Sequence, residues 1–203
     1  MSITLYQDDL PDGLELGHSV AIDTETLGLN LNRDRLCLVQ ISSGDGTAHL
    51  VQIAQNPAPC PNLQALLADE NIEKLFHYAR FDLAVLTRDI GPVAGPIYCT
   101  KIASKLVRTY TDRHGLRDLC AELIGVEISK QQQSSDWAST TLSAAQQKYA
   151  AGDVLYLHRL QERLSFMLER EERTDIAKAC FAFLPTRIAL DLKGFEPVDI
   201  FHH

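Results

Sequence analysis

The sequence predicts an α/β domain, a mixed β-sheet covered by helices. Three observations predict it. Short, alternating or β-branched apolar segments fill the first quarter of the chain. Two of them flank Ser43-Gly44-Asp45-Gly46, the composition of a tight hairpin turn. From residue 62 onward, segments with helical apolar spacing dominate. A leading hairpin followed by helices throughout requires a sheet with an antiparallel pair and helices packed upon it.

Taken in order, residues 1–18 read as a polar lead-in with Pro11 and Gly13. SVAIDTET (19–26) alternates and reads as a strand. LCLVQISS (36–43) is a second strand, rich in apolar and β-branched residues, and TAHLVQI (47–53) is a third, hairpinned to it. Residues 56–61 hold three prolines and form a loop. NLQALLAD (62–69) has helical spacing at Leu63, Leu66 and Leu67. KLFHYA (74–79) is a fourth strand, and RFDLAVLTRDIG a helix closed by Gly91. PIYCT (96–100) is a short extended piece. IASKLVRT and HGLRDLCAELIG, the latter ending at Gly125, are two further helices. ISKQQQSSDWAST is a polar loop. From Ser143 the chain is helical to about Leu184 with one or two breaks, Pro185 interrupts it, and the tail to His203 is irregular or a short docking arm.

With 203 residues, 45% of them hydrophobic and 23% charged, the chain suffices for one globular domain and is short for two. This composition excludes disorder and a disulfide scaffold. No apolar run approaches the ~20 residues of a membrane span, and MSITLYQDDLPDG lacks the pattern of a secretory signal. Nineteen Lys and Arg against 27 Asp and Glu give a net charge of −8, the wrong sign for coating long nucleic acid but compatible with a compact acidic metal site. Five cysteines at 37, 60, 99, 120 and 180, without a CxxC, predict reduced and mostly buried thiols in a cytoplasmic protein.

Three segments carry chemistry. Asp23 and Glu25 end the first strand and share a face, because strand side chains alternate. Alone, the pair reads either as solvated carboxylates or as hard oxygen ligands for Mg²⁺ or Mn²⁺. Asp82 opens a strand-to-helix unit, where an acidic residue also simply favours the helix dipole. Tyr149 and Asp153 lie four apart on a helix and project together; alone, they read as a packed tyrosine and a solvated aspartate.

Together the three resemble the DEDD pattern of 3′→5′ exonucleases, in the subgroup that carries a tyrosine. AIDTETLGL (21–29), FHYARFDLAVL (76–86), DWAS (136–139) and YAAGDVLYLHRL (149–160) resemble the ribonuclease D family over nearly the whole chain. GLNLNRDRLCLVQISSGDGTA, ISKQQQSSDWA and KACFAFLP are similar to short members of that family, which degrade very short oligonucleotides, including dinucleotides, and assemble as ring-like homo-octamers.

The resemblance implies a ribonuclease H-like (DnaQ-like) fold with a five-stranded mixed sheet flanked by helices. It implies one exonuclease domain over 1–203, with a catalytic core at about 19–170, a helical extension to 203, and no appended helical RNA-binding module. Asp23, Glu25, Asp82 and Asp153 would hold two divalent metal ions, Mg²⁺ or Mn²⁺, and Tyr149 would orient the attacking water. The products would be nucleoside 5′-monophosphates from short RNA.

Substrate-binding candidates are Thr26, Leu27 and Leu29 after the DxE, with Leu29 either a wedge against a base or a buried loop residue. His77 is either a phosphate contact or a satisfied core histidine, and Trp137 either a stacking platform or a loop anchor. Arg108 belongs to a basic cluster with Lys101, Lys105, Arg113, His114 and Arg117, which reads as a solvated face, a subunit contact or a phosphate site. The carboxylates do not read the 2′-OH, so single-stranded DNA stays open as a substrate. A general ribonuclease D-like processor of longer RNA is the competing activity. A silent binding module is disfavoured, since all four carboxylates and the tyrosine are present.

Overall fold

The near-continuous apolar run at 36–42 belongs at the middle of a sheet, because only a strand covered on both faces buries every side chain. In the computed structural model, which describes residues 2–129 and 131–202, all seven residues of β3 (Leu36–Ser42) are buried. β3 pairs antiparallel with β2 (Ser19–Thr26) and with β4 (Thr47–Gln52), the latter through the expected hairpin. β5 (Glu73–Phe76) adds parallel to β2, and β6 (Ile97–Cys99) parallel to β5.

The sheet has six strands rather than five, in the order β1-β4-β3-β2-β5-β6. The additional strand, β1 (Ser2–Gln7), lies in the supposed polar lead-in and pairs parallel with β4. Its signal was the alternation of Ile3 and Leu5 with Ser2 and Thr4. Both apolar side chains pack on the cluster of Leu38, Leu50 and Trp137, so burial of one face holds a strand with only one neighbour.

Helices cover the two faces. Leu38 and Leu50 turn toward α5 (Ala144–Val154) and its Ala150. The alternate residues Val39, Ile41 and Val51 join the main core with Leu83 and Leu86 of α2 (Ala79–Asp89). α1 (Pro61–Ala68), α3 (Thr100–Val107), α4 (Leu116–Ile124), α6 (Leu157–Arg170) and α7 (Thr174–Leu190) complete the shell. Ser143 caps α5 in a capping box with Gln146, and Gly125 ends α4 with φ +67°.

Two further expectations are corrected. β5 stops at Phe76 rather than residue 79, because Tyr78 takes the left-handed conformation (φ +78°) and turns the chain into α2. Pro185 does not interrupt the last helix. α7 runs through it to Leu190 and gives way to a kinked turn over Asp191–Phe195, where Gly194 takes the left-handed conformation (φ +91°). A proline inside a helix costs ~3 kcal/mol, and here burial of Phe181, Leu184 and Ile188 on either side offsets it. The polar loop includes Lys130 and the tail includes His203, which lie outside the described residues. Of the five cysteines, none is in a disulfide, four are buried and Cys180 is half-buried.

Candidate active site

β2 carries the first two carboxylates to the sheet's centre on the face that α5 covers. Asp23 sits in register with Gln40 of β3, and Glu25 with Leu38. One turn of α5 sets Tyr149 and Asp153 above them. Carboxylate oxygens of Asp23, Glu25 and Asp153 all lie within 4.8 Å of one another. Burial pushes Asp23 up to about 7. Burial pushes Glu25 up to about 10, with the charges of Asp23, Asp153 and Asp82 adding to it. Asp153 is raised well above the ordinary carboxylate range by burial and by Asp23. Three carboxyls that resist ionising together are an incomplete arrangement electrostatically. A divalent ion with a preference for hard oxygen ligands fits the donor set, since it would favour the ionised form of all three.

Asp82 reaches the cluster from the other side of β2. It is 4% exposed in the first turn of α2, and the Thr24 hydroxyl donates to its Oδ1 at 2.7 Å. It lies outside the tight trio, yet burial and the Asp23 charge raise it well above the ordinary range. Thr24, the middle residue of the DxE, was not anticipated as a site residue; its only signal is that a strand sends it to the opposite face from its neighbours. Gln40 was missed as well. Its buried Nε2 donates to Asp23 Oδ2 at 3.4 Å.

Tyr149 packs on Trp137 with ring centroids 6.0 Å apart. Burial and the neighbouring Asp153 charge raise its phenol, so it stays protonated at neutral pH. Trp137 is 3% exposed and backs the tyrosine ring, so it does not stack on substrate. Asp23, Glu25, Asp153 and Tyr149 open into a cleft of about 300 Å³ that His77, Lys101 and Arg117 also line.

His77 is neutral. Burial and the Lys101 charge push it down to about 3, and its Nδ1 lies 2.8 Å from Thr100 Oγ1. Arg108 is corrected outright: it is fully buried, bonded to Glu122, to Ser104 Oγ at 3.1 Å and to the Arg113 carbonyl at 2.6 Å. Its guanidinium holds the loop that leads to α4 and does not face the cleft. Of the remaining basic cluster, Lys101 and Arg117 line the cleft, while Arg113 is paired with Asp118. The Lys101 ammonium sits 4.1 Å from the Tyr78 ring centroid.

Thr26 ends β2, and Leu27 and Leu29 lie in the loop that leaves it. Thr26 donates to the Gly28 carbonyl. Leu27 and Leu29 are 54% and 84% exposed, so Leu29 is not a buried loop residue. Asp34 braces the loop, accepting from the Asn30 amide at 3.0 Å and from Arg33. It packs so closely that a Cβ at Gly28 would fall 2.4 Å from its Oδ2.

A mixed sheet with this acidic face defines a nuclease-type domain, and comparison with known proteins agrees. Residues 8–169 match the family described as 3′-5′ exonuclease. The chain belongs to the 3′→5′ exonuclease family. Over its full length it is similar to Brucella melitensis NrnC, at 59% identity and a TM-score of 0.96, covering 98% of that chain. NrnC has also been solved with bound Mg²⁺ (57% identity, TM-score 0.95) and bound to pGG (58% identity, TM-score 0.96). Ribonuclease D of Gluconacetobacter diazotrophicus is 35% identical over 165 residues, 81% of this chain and 42% of that protein. The chain thus spans about two fifths of the ribonuclease D relatives it matches. Among the described residues, no helix is long and apolar enough to cross a membrane.

Proposed function

We propose that the protein is a metal-dependent 3′→5′ exoribonuclease that hydrolyses short oligonucleotides, dinucleotides included, to nucleoside 5′-monophosphates. One observation carries the reading: Asp23, Glu25 and Asp153 converge within 4.8 Å in a cleft shared with Tyr149, near enough to the buried Asp82 for its charge to act on Asp23 and Glu25. The likeness to NrnC, solved with Mg²⁺ and with pGG, supports the metal and the short substrate.

Asp23, Glu25 and Asp153 would hold one divalent ion, and Asp82, together with Asp23, a second. Mg²⁺ or Mn²⁺ bound there would supply positive charge to the scissile phosphate and acidify a water. The residues of the chain do the rest. Tyr149, protonated, orients the water through its hydroxyl rather than deprotonating it. Lys101 and Arg117, which line the same cleft, offset phosphate charge. Leu29, exposed on the loop after Glu25, packs against a base. Thr24 and Gln40 fix Asp82 and Asp23 from behind.

The catalytic domain in this reading is single, with its core at about 19–170, and acts in the cytoplasm as a homo-oligomer, an octamer by likeness to short ribonuclease D-type enzymes. Single-stranded DNA is a secondary substrate. A time course on end-labelled RNAs of two to about twenty nucleotides, with and without chelator, tests the proposal. Stepwise release of 5′-monophosphates, fastest on the shortest RNAs and abolished by chelation, is expected. Undiminished cleavage after exhaustive chelation would overturn it.

A further inference from the structure

Two cations line the carboxylate cleft, and they come from two helices. Lys101 is the second residue of α3 and Arg117 the second residue of α4. A cation in a first turn opposes the helix dipole, so neither stands where helix stability alone would put it. An anion in the cleft offsets that cost. α3 and α4 each pack on α6, and residues 108–115 cross from the end of one to the start of the other.

Arg108 governs this crossing. It caps α3, with its backbone N–H on the Ser104 carbonyl at 2.8 Å. Its side chain turns back along the helix, and Nη1 donates to Ser104 Oγ at 3.1 Å and to the Arg113 carbonyl at 2.6 Å. Nη2 pairs with Glu122 of α4. His114 Nδ1 lies 2.9 Å from the same Ser104 Oγ, and the His114 carbonyl accepts from His77. One guanidinium thus ties the end of α3, the loop and α4 into one unit, four residues before Arg117 reaches the cleft.

Stability does not account for an arginine here. Its side chain is fully buried, its Nε has no partner among the described residues, and its counter-charge, Glu122, is 44% exposed. Apolar side chains of similar volume often replace a buried ion pair without loss of stability. What the guanidinium supplies is a rigid planar fork that spans two segments at a fixed separation.

We infer that Arg108 is a positioning residue for substrate binding that acts through Arg117. By clamping the 108–115 loop to α3 and α4, it sets Arg117 against the scissile phosphate. The inference rests on the exonuclease reading above for the ligand, and deepens it by naming what fixes the cation.

The test measures Kd of a labelled ribodinucleotide by fluorescence anisotropy in the Glu25→Gln protein, beside its methylphosphonate analogue, whose linkage is uncharged. Arg117→Ala should weaken the charged ligand about tenfold, the scale of one hydrogen bond to a charged group, and leave the neutral one within twofold. Arg108→Lys should do the same. The double variant should be no weaker than Arg117→Ala alone, because residues that act as one unit are not additive. Glu122→Gln, at a half-exposed side chain, loosens the clamp and should weaken the charged ligand about threefold; it keeps the test valid if Arg108→Lys unfolds. Losses that multiply in the double variant, parallel losses on both ligands, or unchanged affinity in Arg117→Ala or in both clamp variants would overturn the inference. Charge-dependent binding with this coupling, but no turnover in the protein with Glu25 intact, would support the clamp and overturn the exonuclease reading instead.

Discussion

The Thr24 hydroxyl donates to Asp82 Oδ1 at 2.7 Å and joins residues 58 positions apart. The contact fixes the rotation of Asp82 from the strand that carries Asp23 and Glu25, so one strand orients three of the four carboxylates. Thr24→Val nearly keeps the side-chain shape and removes the donor. Divalent-ion affinity should fall about 10- to 100-fold, as for other groups that orient a metal ligand. Thr24→Ser should retain it. Calorimetric titration with Mg²⁺ or Mn²⁺ checks both, and unchanged affinity in Thr24→Val would remove Thr24 from the site.

Asp23→Asn, Glu25→Gln and Asp153→Asn should each lower kcat by ~10²-fold or more, the scale of a lost electrostatic element at a reacting phosphate. The same changes should raise the metal-free melting temperature, because each removes one acid from a buried, mutually repelling group. Kinetics and thermal unfolding in chelator measure the two effects. A variant that loses activity and stability together would mark its residue as structural.

The stability of the metal-free protein should depend on pH in a definite direction. Asp23 and Glu25 have folded-state values raised to about 7 and about 10 from 3.8 and 4.5. The folded state therefore binds more protons than the unfolded chain between these limits, and stability falls as pH rises. The contribution is complete below about pH 4 and declines through the range up to about 10. Melting curves in chelator should shift downward between pH 5 and 9, roughly, and saturating Mg²⁺ should flatten the trend.

Tyr149→Phe keeps the ring on Trp137 and loses the hydroxyl. A loss of roughly 10²-fold in kcat is expected, with little change in KM or in metal affinity. Trp137→Ala removes the ring behind the tyrosine and should cost ~3–5 kcal/mol of stability in addition to activity. Wild-type kcat in Tyr149→Phe would assign the tyrosine to packing alone.

The formal charge of the chain is −8, and Asp23, Glu25, Asp82 and Asp153 make up half of it. Long RNA gains affinity from counterion release along a basic track, and here Arg108 and Arg113 of the basic cluster are consumed by internal pairs. The highest kcat/KM should fall on RNAs of two to a few nucleotides, with a shallow dependence on salt. Gel filtration should give a species well above 22.6 kDa. A steep salt slope with faster attack per end on twenty-nucleotide RNA would identify a processor of longer RNA.

Local periodicity by itself determined the α/β class, the β3–β4 hairpin, most helix positions and two pairings within the site. Asp23 and Glu25 share a face because strand side chains alternate, and Tyr149 and Asp153 because a helix repeats near every fourth residue. These are properties of neighbours in the chain. Tertiary structure alone decided what depends on distant partners. β1 forms because β4 offers it an edge and α5 covers its apolar face. Pro185 stays helical because packing outweighs a local penalty. Arg108, which reads as a surface cation, is fully buried because Glu122, Ser104 and the Arg113 carbonyl meet its guanidinium. Thr24 acquires a role only when α2 brings Asp82 to it. A burial or a hydrogen bond across the fold is a property of two segments at once, and the spacing within either one does not carry it.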